Sequence, residues 1–368
     1  MSRQRTLLFS MELSNKIWRL CFTDGAKMRQ KCIGARDTGA LLQEIGRAKE
    51  KFALPASCGV ISCYEAGRDG FWIHRFLAKN GIENRVLDPA SIEVNRRSKQ
   101  QKTDRLDASK LTRLLLRAER FAEKKAFSVV RVPGEEEEAA MRTYRERERL
   151  VKEIKGHVCR IKSLLNLQGL ECNDPGKCRF AFLVDWQGRA LCPPLIRELQ
   201  REQQRLCLAK EQLAEIEHYQ WQHLKKPQSR AEQQGKQLAQ LRGVGLQSSW
   251  ALGHEYFGWR EFKNRRQVGA CAGLVGTPYD SGDSRKEQGI SKAGNRRIRY
   301  LMIELAWGWL RYQPGSALSQ WYQERFGFGN RRLRRIGIVA LARKLLVALW
   351  KFVQYGQLPE GAQLGGAI

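Results

Sequence analysis

From Gly134 to Gln168 the chain reads "GEEEEAAMRTYRERERLVKEIKGHVCRIKSLLNLQ", with apolar residues at Leu150, Ile154, Val158, Ile161 and Leu165. Steps of three and four residues put these five on one stripe of a helix, the seam that a coiled coil buries. Roughly 34 residues of helix extend about 50 Å. A rod of that length must pair with another helix or leave its stripe in water. The partner follows in "LIRELQREQQRLCLAKEQLAEIEHYQW", residues 195–221, with Leu199, Leu206, Leu213 and Ile216 in the same rhythm. Pro175, Gly176, Gly188, Pro193 and Pro194 mark the interval between them as a loop. Two antiparallel arms so joined form a coiled-coil helical hairpin or a dimerising spacer. They divide the chain into 1–132, 133–240 and 241–368. The run Glu135–Glu138 reads as the acidic first turns of the first arm, where the helix dipole favours negative charge.

Before the spacer the periodicity changes. "TLLFSMEL", "KIWRLCFTDG" and "KMRQKCIGA" read as three strands, the last two joined at an Asp-Gly turn. "TGALLQEIGRAKEKF" reads as a helix, "CGVISCYEA" as a buried strand, "GFWIHRFLAKNG" as a helix and "IENRVLDP" as a strand. This alternation is an α/β pattern with an antiparallel hairpin added to the sheet. "TDRLDASKLTRLLLRAE" is an amphipathic helix with Leu106, Leu111, Leu114 and Leu115 on one side. After the spacer, 241–368 is rich in Gly, aromatic and basic residues and reads as mainly α. It ends in "NRRLRRIGIVALARKLLVALWKF", a basic amphipathic helix.

The 66 Lys and Arg outnumber the 38 Asp and Glu and give a formal charge of +28. Such a surplus costs self-repulsion unless a polyanion is bound, which points to nucleic acid. A membrane surface also suits a basic chain, but no run of 18 apolar residues spans a bilayer, and the start lacks the pattern of a signal peptide. Ten cysteines without zinc-knuckle spacing fit reduced thiols in the cytosol, the expected location.

Against this basic background the acids are informative. Asp104 and Asp107 lie three apart on a helix, so both carboxylates can address one ion. Around them stand Arg96, Arg97, Lys99, Lys102 and Arg105, suited to a phosphate backbone. Glu12 ends the first apolar strand and Glu65 the buried strand "VISCYE". Hard cations such as Mg²⁺ take oxygen ligands and can neutralise a phosphodiester under attack. Surface salt bridging is the simpler alternative for any one of these acids taken alone.

An acid on the first strand, then "YEA" after a buried strand, then "KTDRLDASKL" resembles the RuvC-like DEDD domain of one insertion-sequence transposase family. That family includes the Piv and MooV DNA invertases and the bridge-RNA-guided recombinases. "GLVGTPYDSGDSRKEQGISKAGNRRIRYLMIELAW" resembles its second signature, a Gly/Ser-rich loop leading to an Ile-Ser-Lys helix start. The resemblance implies an RNase H/RuvC-like α/β domain with Glu12, Glu65, Asp104 and Asp107 as metal ligands, Glu12 standing where Asp is usual. It further implies Mg²⁺ (with Mn²⁺ able to substitute), donor and target DNA, an element-encoded noncoding guide RNA, and a dimer or tetramer built through the spacer. It implies a serine nucleophile in the C-terminal domain. Ser281, before Gly282, matches best, and Ser284 and Ser291 compete, with Ser291 equally readable as a helix cap. Arg285, Lys292, Arg296 and Arg297 follow as candidate phosphate contacts. Gly243 and Gly245 in "LRGVGLQSSWAL" read either as a phosphate-approaching turn or as a plain helix-joining turn. The expected activity is a transposase or site-specific recombinase whose site draws on both domains. A RuvC-like nuclease using metal-activated water, and a non-catalytic nucleic-acid-binding protein, are the alternatives.

Overall fold

In the first part of the chain the alternating apolar residues form β1 (Leu7–Glu12), β2 (Ile17–Thr23) and β3 (Met28–Gly34). Gly25, in the turn joining β2 to β3, has a φ of 94°, a left-handed conformation that glycine adopts without strain. Helix α1 (Thr38–Lys51) begins where the Asp37 carboxylate accepts from the Ala40 amide. Strand β4 (Val60–Glu65), helix α2 (Trp72–Lys79), strand β5 (Glu83–Leu87) and helix α3 (Asp104–Arg120) follow. The structure, a computed structural model, describes residues 6–92, 104–121, 123, 126–281 and 284–365. It divides into two compact units, 1–133 and 134–368.

The five strands form one mixed sheet in the order β3-β2-β1-β4-β5. The β1–β2 and β2–β3 pairs are antiparallel, and β1–β4 and β4–β5 are parallel. Side chains alternate across a strand, so the sheet has two coats. Leu7, Phe9 and Met11 of β1 pack with Leu41 and Ile45 of α1 and with Ile73 and Leu77 of α2. Leu8, Cys63 and Leu87 face the other way, against Leu111 and Leu115 of α3. The expected α/β pattern is thus a sheet covered by helices on both sides.

The second unit opens with α4 (Glu135–Asn166), 32 residues long. Its acidic first turn is used locally: Glu137 Oε2 accepts from the Gly134 amide at 2.7 Å. Helix α5 (Pro193–Lys225) starts at the prolines that sequence reading assigned to the loop, because proline suits a helix's first turn. The two run antiparallel, with Arg147 bonded to Glu217, His157 to Glu202 and Arg160 to Glu198. Ile161, Leu165, Leu199 and Leu206 form the buried seam between them.

Helices α6 (Arg230–Ala239), α7 (Leu246–Leu252), α8 (Arg265–Cys271), α9 (Arg296–Tyr312), α10 (Ala317–Tyr322) and α11 (Arg331–Tyr355) complete the unit around its own core. Two π-helical turns, Gly253–Phe257 and Gln323–Gly327, extend α7 and α10. Strands β6 (Gly276–Ser281) and β7 (Ser284–Ile290) make a two-stranded hairpin where a Gly/Ser-rich loop was expected. The terminal helix exposes all of residues 331–336, and beyond them Arg343, Lys344 and Lys351 stay exposed while Leu341, Leu345, Leu346 and Leu349 are fully buried. Among the described residues no helix is long and apolar enough to cross a membrane.

Candidate active site

The carboxyl ends of parallel strands form the edge where open α/β sheets commonly place ligands. The β1–β4 register runs from Leu7↔Val60 to Met11↔Tyr64. One step further, Glu12 and Glu65 occupy equivalent positions on neighbouring strands. Parity puts both on the α3 side, with Ser10 and Cys63 two residues earlier. Glu65 is exposed and Glu12 half-buried.

Helix α3 is fixed on this face by polar contacts through otherwise apolar packing. Ser10 Oγ donates to the Ala108 carbonyl at 2.7 Å and lies 2.7 Å from Thr112 Oγ1. Thr112 Oγ1 also reaches the Cys21 carbonyl at 3.0 Å. Cys63 Sγ is 3.9 Å from the Leu111 carbonyl, a long sulfur contact, and burial pushes its thiol far above the usual range. Leu115 packs near Leu8, and Ala108 against Ser10. The helix therefore runs antiparallel to β1, and its first turn lies at the carboxyl end of that strand. Asp104 stands one turn before Ala108, and Asp107 one turn before Leu111. The backbone thus brings Glu12, Glu65, Asp104 and Asp107 to one edge of the sheet.

Carboxylates without thiolate or imidazole are the oxygen donors that a hard divalent cation would require. Among the described residues no three His, Cys, Asp or Glu side chains form a group that could hold a metal. The side chains of Asp104 and Arg105 lie outside the described residues, as do Arg96, Arg97, Lys99 and Lys102 altogether.

In the second unit Ser281 and Ser284 face each other on the last paired rung of the β6–β7 hairpin. Arg285 follows on β7 and pairs in register with Asp280. Ser291 does not cap α9: its amide donates to the Val275 carbonyl, and Asn295 is the cap. Lys292 and Arg296 are exposed, whereas Arg297 Nε bonds Glu148 of α4 at 2.9 Å. Gly243 has a φ of 87°, and a Cβ there would stand 2.9 Å from Tyr312 Cβ, so conformation and packing both require glycine. Gly245 is the N-cap of α7 with open space around it. Two anchors escaped sequence reading: the Ser10–Thr112 contact, and Arg145 of α4 bonded to the buried Glu255. Both join residues about a hundred positions apart, which no local pattern signals.

Residues 235–323, from within α6 into the second π-turn, match the family model described as transposase IS116/IS110/IS902 family. Over 97% of this chain and 94% of its own length, the predicted transposase y4rJ of Sinorhizobium fredii is 40% identical. The chain belongs to the IS116/IS110/IS902 transposase family. A transposase for insertion sequence element IS1111A of Coxiella burnetii is 26% identical over 81% of the chain and 78% of its own length. Membership makes this IS110-type chain a transposase, an enzyme that binds and processes DNA, as its excess of basic residues anticipated.

Proposed function

We propose that this transposase cuts and rejoins DNA through an RNase H/RuvC-like first unit and a serine of the second. Glu12, Glu65, Asp104 and Asp107 are the ligands assigned to Mg²⁺, for which Mn²⁺ can substitute. The observation that carries this reading is the meeting of two parallel strand ends with the first turn of α3. Bound there, the cation would neutralise charge on the phosphodiester being attacked.

Ser281 is assigned as nucleophile. Its Oγ loses a proton and bonds to the scissile phosphorus while the leaving sugar oxygen is protonated and departs. Attack by a new strand end then breaks the serine–phosphate bond and frees the hydroxyl. Lys292 and Arg296, both exposed, are suited to hold the phosphate backbone. A noncoding RNA of the element selects the DNA, and the paired α4 and α5 act as a coiled-coil spacer joining protomers. The +28 charge supplies cations for both polyanions.

The test is covalent trapping on a suicide DNA substrate. Wild type should yield a protein–DNA adduct, and Ser281→Ala none. If Ser284→Ala abolishes the adduct and Ser281→Ala does not, the nucleophile is the rung partner. Cleavage without any adduct in wild type would replace the serine step with metal-activated water.

A further inference from the structure

Between α10 and α11 the chain reads "RFGFGNRRLRRI", and the structure gives this stretch an unusual surface. Phe328 is fully exposed, flanked by two glycines. Arg331, Arg332, Arg334 and Arg335 follow within the first five residues of α11. Among the described residues none of the four is paired with a carboxylate. All four sit where a helix's own dipole disfavours cations. An exposed phenyl ring and the unneutralised Arg331, Arg332 and Arg335 in the wrong part of a helix do nothing for the isolated fold.

The segment is nevertheless held firmly. Arg334 donates its Nη2 to the Gly327 carbonyl at 2.8 Å, and Asn330 caps the helix by accepting from the Leu333 amide. Phe326 covers Gly337, where a Cβ would fall within 2.5 Å of the ring. Gly329 is packed against Leu333. The backbone on both sides of Phe328 is therefore anchored, and the ring is presented on the turn between the anchors.

We propose that Phe328, Arg331, Arg332 and Arg335 form a docking surface for an unpaired stretch of DNA, the nucleic acid a transposase processes. The ring stacks on a base and the guanidinium groups take the flanking phosphates. Every base offers a π-face to an exposed aromatic only when its strand is single, so the ring favours unpaired over duplex partners. Charge complementarity with the arginines supplies the rest. The inference rests on this transposase handling nucleic acid, and on neither the metal ligands nor the serine.

The experiment is binding of the full chain in EDTA to fluorescent oligodeoxythymidine and oligouridine, and to a duplex of equal length. Phe328→Ala should weaken single-strand binding on the order of tenfold, leave the duplex unchanged, and be rescued by Phe328→Trp. The loss should appear on oligodeoxythymidine, and a loss confined to oligouridine would overturn the assignment to DNA. Arg331→Ala with Arg332→Ala should lower the salt slope of log K by about 0.7 for each phosphate no longer neutralised. Equal weakening on single strand and duplex, no weakening on either, or a change only in oligomeric state for Phe328→Ala would overturn the proposal. Binding is read in EDTA and needs no cleavage, which separates this result from failure of the catalytic assignment.

Discussion

Removing Arg145 should destabilise the second unit more than any surface ion pair could. Its guanidinium makes two bonds to Glu255, at 2.6 and 3.0 Å. The Glu255 side chain is only 2% exposed, while that of Arg145 is 42% exposed. Arg145→Met therefore leaves a buried carboxylate without its cation. Breaking a buried pair costs about 3–5 kcal/mol, and an exposed pair is worth under about 1. Half-exposure of Arg145 places this pair at the low end, about 3 kcal/mol. Glu255→Gln should cost less, about 1 kcal/mol, because the neutral amide can still accept one hydrogen bond and strands no buried charge. Eight of the ten tryptophans, all except Trp18 and Trp72, lie in 134–368, so urea unfolding followed by tryptophan fluorescence reports this unit. A loss of about 3 kcal/mol corresponds to roughly 6–12 °C in Tm for a unit of this size. A loss below about 1 kcal/mol for Arg145→Met, or a greater loss for Glu255→Gln, would refute the reasoning.

Thr112→Val removes the hydroxyl that meets Ser10, Cys21 and Ala108 at the interface of α3 with the sheet. It should cost about 1–3 kcal/mol and raise amide exchange in α3, measured by hydrogen–deuterium exchange, with a parallel loss of DNA cleavage. His254 stacks on Trp250 at 3.8 Å, donates Nδ1–H to the Trp250 carbonyl, and burial holds its pKa below the ordinary 6.5. The folded chain thus keeps this imidazole neutral while the unfolded chain protonates it, so stability falls as pH drops below about 6.5. The decline between pH 7 and 5 should flatten in His254→Phe, measured by thermal melts across that range.

The strands and helices of the first unit and the two long arms of the second were legible because they carry clear periods. Alternation announced β1 to β5, and the stripe through Leu150, Ile161 and Leu165 announced α4. The order of acids along the chain was legible too. Their meeting at one sheet edge depends on the β1–β4 register and on the direction of α3, which long-range contacts set rather than local pattern. One local reading failed for an identifiable reason. "DSGDS" has loop composition, yet its flanks pair as a hairpin with Ser281 opposite Ser284.

Four carboxylates at one sheet edge, serving one divalent cation, stand at the centre of the proposed chemistry. Mn²⁺ binding to the full chain without nucleic acid, followed by electron paramagnetic resonance, tests this most directly. Wild type and Ser281→Ala should bind Mn²⁺, Mg²⁺ should compete for the same site, and Glu65→Gln and Asp107→Asn should each lose it. Absence of binding in wild type, or equal binding in the carboxylate variants, would contradict the assignment.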